Sequence, residues 1–242
     1  MTPVSVCIAT RGDVPLRPIF LSIPRGWEIV WWNNGDGTVT VTNSDAENFV
    51  DVQYSGVPDL GPHARFAAIE YASHDLILVQ DDDVIISDPQ AIVDTFIATR
   101  DICAMCGESM ARQATPAGHV VWACIEKHCV LDEVVCNLPM EFREHYPDSS
   151  LVGFGSCFHR DAPERAFSRF FGYHHNMSRT DPLFLRESCR VFTVLTPRVL
   201  VDIPKTDMPY ASDPNRLWKD KNHIKYRDEA LNLAREVRDG QG

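Results

Sequence analysis

Three consecutive carboxylates, Asp81-Asp82-Asp83, stand between two apolar runs, Leu76-Ile77-Leu78-Val79 and Val84-Ile85-Ile86. A short apolar run ahead of the acids has the pattern of a buried strand in a parallel sheet. The acids then fall where that strand leaves the sheet, and open α/β sheets bind ligands at such carboxyl ends. Side chains alternate in extended chain, so Asp81 and Asp83 are expected on one face and Asp82 on the other. Two carboxylates sharing a face suit a hard cation, Mg²⁺ or Mn²⁺, together with a phosphate ligand. The competing account of the same residues is a solvated acidic turn.

Other polar groups follow apolar runs in the same way. Thr10 and Arg11 come after Val4–Ala9, and Asn33, Asn34 and Asp36 come after Trp27–Trp32. Their amide, hydroxyl and carboxylate groups could read a nucleobase and ribose. Ordinary turn chemistry is the alternative, since Asn-Gly and Asp-Gly form turns whatever they bind. That alternative suits Gly35 and Gly37, while Asn33 and Asp36 are the better candidates for binding. Arg65 could pin the acids or a diphosphate, or simply make a surface ion pair.

The elements that must position these groups can be sketched. Strands are expected at 4–9, 27–32, 76–80, 101–106, 119–125, 151–158 and 189–195. Ser87-Asp88-Pro89 opens a helix with a cap and a first-turn proline. Ile92, Val93, Phe96 and Ile97 give that helix its apolar face. A helix near Gly61-Pro62 should turn Phe66 and Ile69 inward. Ser212-Asp213-Pro214 is expected to cap a last helix with Leu217, Ile224 and Leu231 on one face. Residues 107–118 and 137–150 are rich in turn formers.

Composition narrows the function classes. The 242 residues are 44% hydrophobic and 24% charged, ordinary for a globular protein with a substantial core. A formal charge of −11 argues against generic nucleic-acid or anionic-membrane binding. Residues 151–200 run the other way, with seven arginines against four acids. These are either internal ion pairs or a basic face for phosphate. Met1-Thr2-Pro3 leads straight into an apolar strand without a leader pattern, and no apolar run reaches a membrane-spanning length. A cytoplasmic protein with no membrane partner is the expectation, and its eight cysteines should be thiols. Cys103-x-x-Cys106 lacks a second tight pair and is a weak zinc signal.

Taken in order, these segments resemble the GT-A fold glycosyltransferases, which use nucleotide sugars. The apolar strand ending in Asp81-Asp82-Asp83 resembles their DXD motif. Val4–Gly12 looks like the opening strand and nucleotide loop, and Glu28–Gly37 like the second strand and its base-recognition turn. Gly61–Ala72 is similar to the helix before the DXD strand. Leu151–Arg160 resembles the glycine-bearing acceptor segment, and Thr180-Asp181-Pro182 falls where the family carries an acidic pair. The resemblance implies an α/β, Rossmann-like, mostly parallel central sheet flanked by helices in a single domain. Residues from about 1 to 100 would form the nucleotide-sugar half and residues from about 101 to 242 the acceptor half.

The resemblance also implies roles. Asp83 would ligate Mn²⁺ or Mg²⁺, Asp81 would contact the metal or ribose, and Asp82 would be the less certain member. Thr10, Arg11, Asn33, Asp36 and Arg65 would face the nucleotide. Asp181 would be the base of an inverting transfer, with Thr180 in place of the usual first acid, or would orient the acceptor or sugar in a retaining one; standing before Pro182, it could instead simply cap a helix. His223, beside Lys219 and Lys221, would meet the metal or diphosphate; His174, His175 and His159 are further candidates. The donor would be a nucleoside-diphosphate sugar, a UDP-sugar first among them. The acceptor hydroxyl could belong to a saccharide, a protein or a modified DNA base. A nucleotidyltransferase that makes sugar nucleotides is the rival within the fold, although Ala9-Thr10-Arg11-Gly12-Asp13 supplies one glycine where such enzymes use a glycine-rich loop. A non-catalytic nucleotide- or carbohydrate-binding module is the rival outside it.

Overall fold

The chain was analysed as a computed structural model that describes residues 2–35, 49–52, 59–99, 103–106, 129–130, 152–201, 203, 205–208 and 220–240. Its first strand, β1 (Ser5–Thr10), pairs in parallel with β2 (Glu28–Asn33) on one side and β4 (Leu76–Asp81) on the other. β3 (Phe49–Val52) extends the parallel set beyond β2. β8 (Ser156–His159) runs antiparallel between β4 and β6 (Cys103–Cys106). β9 (Arg198–Val201) is parallel to β6, and β7 (Cys129–Val130) closes the sheet antiparallel to β9. The order is β3-β2-β1-β4-β8-β6-β9-β7, an α/β sheet that is mostly parallel. A separate antiparallel pair joins β5 (Val84–Ile86) to β10 (Lys205–Asp207).

Both faces of the sheet are covered, which is why its central strands read as unbroken apolar runs. Val4, Val6, Ile8, Ile29, Trp31 and Leu78 pack toward α1 (Arg17–Ser22) and α3 (Pro89–Thr99). Cys7, Val30, Ile77, Val79 and Phe158 point the other way, toward α2 (Ala64–Ala67), α4 (Ala162–Tyr173), α5 (Pro182–Leu195) and α6 (His223–Asp239). Phe66, Phe167, Phe184 and Phe192 interlock there with ring centroids 5.0 to 6.4 Å apart. Such aromatic pairs add to plain area burial. No helix among the described residues is long and apolar enough to cross a membrane.

Several sequence expectations need correction. Residues 189–195 belong to helix α5, not to a strand. Cys189, Val191, Phe192, Val194 and Leu195 are all buried. A helix enclosed on every side loses its 3.6-residue polarity, and a β-branched run then looks like a strand. The segment expected as a strand over 151–158 breaks: Val152–Phe154 forms a 3₁₀ turn, Gly155 takes φ +111°, and the strand begins at Ser156. Ile97 lies on the exposed side of α3, although Ile92 and Val93 are fully buried as expected. Asp88 caps that helix, its Oδ1 accepting from Ala91 N at 3.1 Å. Residues 119–125 and the Ser212-Asp213-Pro214 cap lie outside the described residues. Cys7, Cys157 and Cys189 are buried free thiols, and the other five cysteine side chains are outside the described set.

Candidate active site

The register gathers the sequence candidates along one edge of the sheet. Thr10 pairs with Asn33, and Ala9 pairs with Asp81, so β1, β2 and β4 end together. Val79 pairs with Ser156, so antiparallel β8 starts at this same edge and places Gly153 beside it. His159 pairs with Leu76 and therefore lies at the opposite end of the sheet, away from the acids.

Asp81 is the last residue of β4, while Asp82 and Asp83 form a turn into β5. Buried Gln80 closes that turn, its Nε2 donating to Val84 O at 2.8 Å. Met208 N donates to Asp83 O at 2.8 Å and ties the turn to the strand pair β5–β10. Side chains alternate only in extended chain, and Asp82 and Asp83 have left it. The turn nevertheless separates them: Asp82 is 6% exposed, while Asp81 and Asp83 are half-buried.

Arg65 fixes the first acid. Its Nη2 stands 2.8 Å from Asp81 Oδ1, with both side chains largely buried. Burial works against the guanidinium charge, but Asp81, then Cys189, Asp82 and Asp83, outweigh it and raise the Arg65 pKa. Breaking such a pair from one side leaves an uncompensated buried charge, which costs far more than a surface pair is worth. Gly153 closes over the same carboxylate: a Cβ there would fall 2.0 to 2.1 Å from the Asp81 carboxyl atoms.

The loops after β1 and β2 brace each other. Thr10 Oγ1 accepts from Gly12 N at 3.1 Å, and Thr10 O accepts from Asn34 N at 2.7 Å. Asn33 Oδ1 accepts from Gly35 N at 2.8 Å. Gly12 takes φ +76°, and a Cβ on it would sit 2.5 Å from Asn33 Oδ1. Asn34 holds a third segment: Oδ1 accepts from Trp32 Nε1 and Leu60 N, and Nδ2 donates to Gly61 O. Residues 60–61 lead into the helix that carries Arg65. Arg11 pairs with Asp13 at the surface. Asp36 lies outside the described residues.

Asp181 caps α5, its Oδ1 accepting from Leu183 N at 2.9 Å. His223 opens α6 and is 8% exposed. Burial, followed by Arg227, Arg186 and Arg190, holds its pKa down at about 4 against the pull of Asp220, so the ring is neutral at pH 7. Lys221 is exposed, and Lys219 is outside the described residues. His174 is structural, its Nε2 lying 3.0 Å from Leu233 O on α6.

Six of the seven arginines of residues 151–200 divide between two uses, the Arg198 side chain lying outside the described residues. Arg160, Arg165, Arg169 and Arg179 make local contacts with Asp75, Asp161, Leu195 O and Glu164. Arg186 and Arg190 instead join Glu187 within the helical packing, a group the sequence candidates missed. The available signal was three charges, Arg186, Glu187 and Arg190, set inside an apolar stretch. Among the described residues, no three His, Cys, Asp or Glu side chains converge to hold a metal unaided.

No family model and no curated protein sequence matches the chain. Among solved structures, TarS 1–349 from S. aureus aligns over 98% of this chain and 71% of its own, with 9% identity and a TM-score of 0.50. The same fragment in complex with UDP-GlcNAc gives 10% identity and 0.48, covering 98% and 70%. Mannosyltransferase PcManGT from Pyrobaculum calidifontis, in complex with GDP-Man and Mn²⁺, gives 14% identity and 0.43, covering 97% and 73%. At such identities the likeness speaks for the fold alone, and that fold is the GT-A-like α/β architecture built above from its strands.

Proposed function

We propose that the protein is a metal-dependent glycosyltransferase. It moves a sugar from a nucleoside-diphosphate sugar, with UDP-sugars first in line, to an acceptor hydroxyl on a saccharide, a protein or a hydroxylated DNA base. The observation that carries this reading is the Asp81–Asp83 turn at the carboxyl edge, with Asp81 held by Arg65 and Gly153 packed against it. A solvated acidic turn needs neither a buried arginine nor a glycine forced by close approach.

The donor set fits a divalent cation. Mg²⁺ and Mn²⁺ take oxygen ligands, often one or two carboxylates completed by phosphates and water. Asp83 and Asp81 would hold the cation, with His223 as a further candidate in its neutral, ligating form. When bound, the cation offsets negative charge growing on the leaving diphosphate. The chain's own residues do the rest. Arg65 holds the Asp81 carboxylate in place. Thr10, Arg11, Asn33 and Asp36, in the nucleotide half, face the base and ribose. In the acceptor half, Asp181 takes the acceptor proton in an inverting displacement, as a poor nucleophile requires.

A panel of nucleotide sugars with Mn²⁺, scored by thermal shift and by donor hydrolysis, tests this. UDP-GlcNAc and GDP-Man, the ligands of the neighbouring structures, head the panel. Stabilisation and slow hydrolysis by one donor, both abolished by EDTA, are expected. Turnover of a nucleoside triphosphate with a sugar phosphate would point to the nucleotidyltransferase instead, and binding without any turnover to a recognition module.

A further inference from the structure

At the end of the sheet opposite the acid turn, α3, β8, α4 and the turn between α5 and β9 border a cavity of about 200 Å³. Phe96, Phe158, Leu195 and Pro197 give it apolar walls. Ala162 and Ala166, one turn apart on α4, leave the space open because their side chains are small. Its polar lining includes His159 at the end of β8 and Arg165 and Arg169 on α4. His159 pairs with Leu76 at the start of β4, so the length of that strand, roughly 17 Å, separates the cavity from Asp81. A donor held at the carboxyl edge does not reach it.

Arg169 is the unusual member. Arg160, Arg165 and Arg179 each face a carboxylate, from Asp75, Asp161 and Glu164. Arg169 has no such partner among the described residues; its Nη1 donates to Leu195 O at 3.3 Å, at the end of α5. That bond takes one of the five N–H donors of the guanidinium. Capping a helix carbonyl explains the bond, but not the cavity left open beside the charge. His159 is half committed in the same way. Its Nδ1 lies 2.5 Å from Asp161 Oδ1, and its Nε2 makes no hydrogen bond among the described residues. Asp161 also accepts from Arg165 through Oδ2, so both of its oxygens are engaged and neither is left for Arg169.

These groups select a ligand by chemistry. The walls suit an apolar body, and Phe96 and Phe158 suit an aromatic one. A cation without a carboxylate partner calls for one negative charge, and a guanidinium matches a carboxylate through two parallel hydrogen bonds. A phosphate or a nucleotide carries more charge and more polar surface than these walls match. Pockets for drug-sized ligands start at about 300 Å³, so the occupant here is smaller, on the order of ten non-hydrogen atoms. We propose that the cavity bordered by Arg169 and His159 binds a small aromatic carboxylate, at a site separate from the acid turn. The site does not depend on the glycosyltransferase reading and would stand without it.

Fluorine NMR on the full chain tests it, with para-fluorobenzoate and the neutral para-fluorobenzyl alcohol as probes and a thermal melt on every variant. Wild type should bind the carboxylate saturably, with a dissociation constant of about 1 mM or below, a modest affinity for a ligand of this size. The alcohol should bind at least about tenfold more weakly, the scale of a lost charge-assisted hydrogen bond. Arg169→Gln, at an exposed position, should weaken the carboxylate by a similar factor and leave the alcohol unchanged, and Arg169→Lys should recover part of the loss. Should Arg169→Gln fail to fold, His159→Leu, which removes Nε2, takes its place and should weaken the carboxylate in the same sense. UDP with Mn²⁺ should not displace the probe. No saturable binding by wild type, equal binding of the two probes, or undiminished carboxylate binding by the folded variant overturns the site. Displacement by UDP with Mn²⁺ would also overturn it, since the probe would then sit at the carboxyl edge.

Discussion

At Asp181 the helix cap and the proposed base can be told apart, because asparagine caps a helix about as well as aspartate does. Asp181→Asn should keep the bond from Leu183 N and leave the thermal melt nearly unchanged. It cannot accept a proton, so sugar transfer should fall by roughly a hundredfold or more while donor affinity holds. Near-normal transfer beside normal donor affinity would reduce Asp181 to a cap. Gly153 makes a second residue-scale case. Gly153→Ala places a methyl group where the Asp81 carboxylate now sits, so Asp81 must leave Arg65. The expected cost is about 1–3 kcal/mol, the usual scale of overpacking, together with loss of Mn²⁺-dependent nucleotide binding. Urea denaturation and a binding titration check the two effects separately.

At the scale of elements, the site depends on segments laced together at their ends. Asn34 joins the loop after β2 to residues 60–61 through hydrogen bonds of 3.2 and 3.0 Å. Asn34→Ala strands these partners and should cost about 1–3 kcal/mol in urea denaturation. Asn34→Asp keeps the acceptor and should cost less; equal losses would show that the Oδ1 bonds contribute little. What the sequence made legible follows the same division. β1, β2 and β4 could be read because each is a buried apolar run ending in polar residues, and parallel pairing then sets those ends side by side. Asp88 as the cap of α3 was legible for the same local reason. α5 was not, since enclosure by the sheet and its neighbouring helices erases helical periodicity. Nor was the cluster of Arg186, Glu187 and Arg190, because charged helix residues ordinarily face water, and only tertiary packing turns these inward.

For the whole molecule, charge and burial pull in different directions. A chain of net charge −11 keeps Arg65, Arg186 and Arg190 largely buried. The same burial predicts how stability depends on pH. His63 is packed among Phe66, Phe167 and Phe184, and burial, with Arg179 nearby, holds its pKa at about 4. Unfolded histidine titrates near 6.5, so below that pH the unfolded chain takes up protons that the native chain refuses. Stability should therefore be full above about pH 6.5 and fall progressively toward pH 4, with His223 acting in the same sense. His63→Leu should shrink the drop in melting temperature between pH 7 and pH 4.5; an unchanged drop would assign it to other groups. The central claim is that the acid turn binds a cation bridging to a nucleoside diphosphate. Its most direct measurement is a calorimetric titration of UDP and GDP into folded wild type and Asp83→Ala, each with Mn²⁺ and with EDTA. The account predicts that Mn²⁺ strengthens binding to wild type and adds nothing to Asp83→Ala, which keeps only the metal-free affinity. An undiminished Mn²⁺-dependent gain in Asp83→Ala would contradict it.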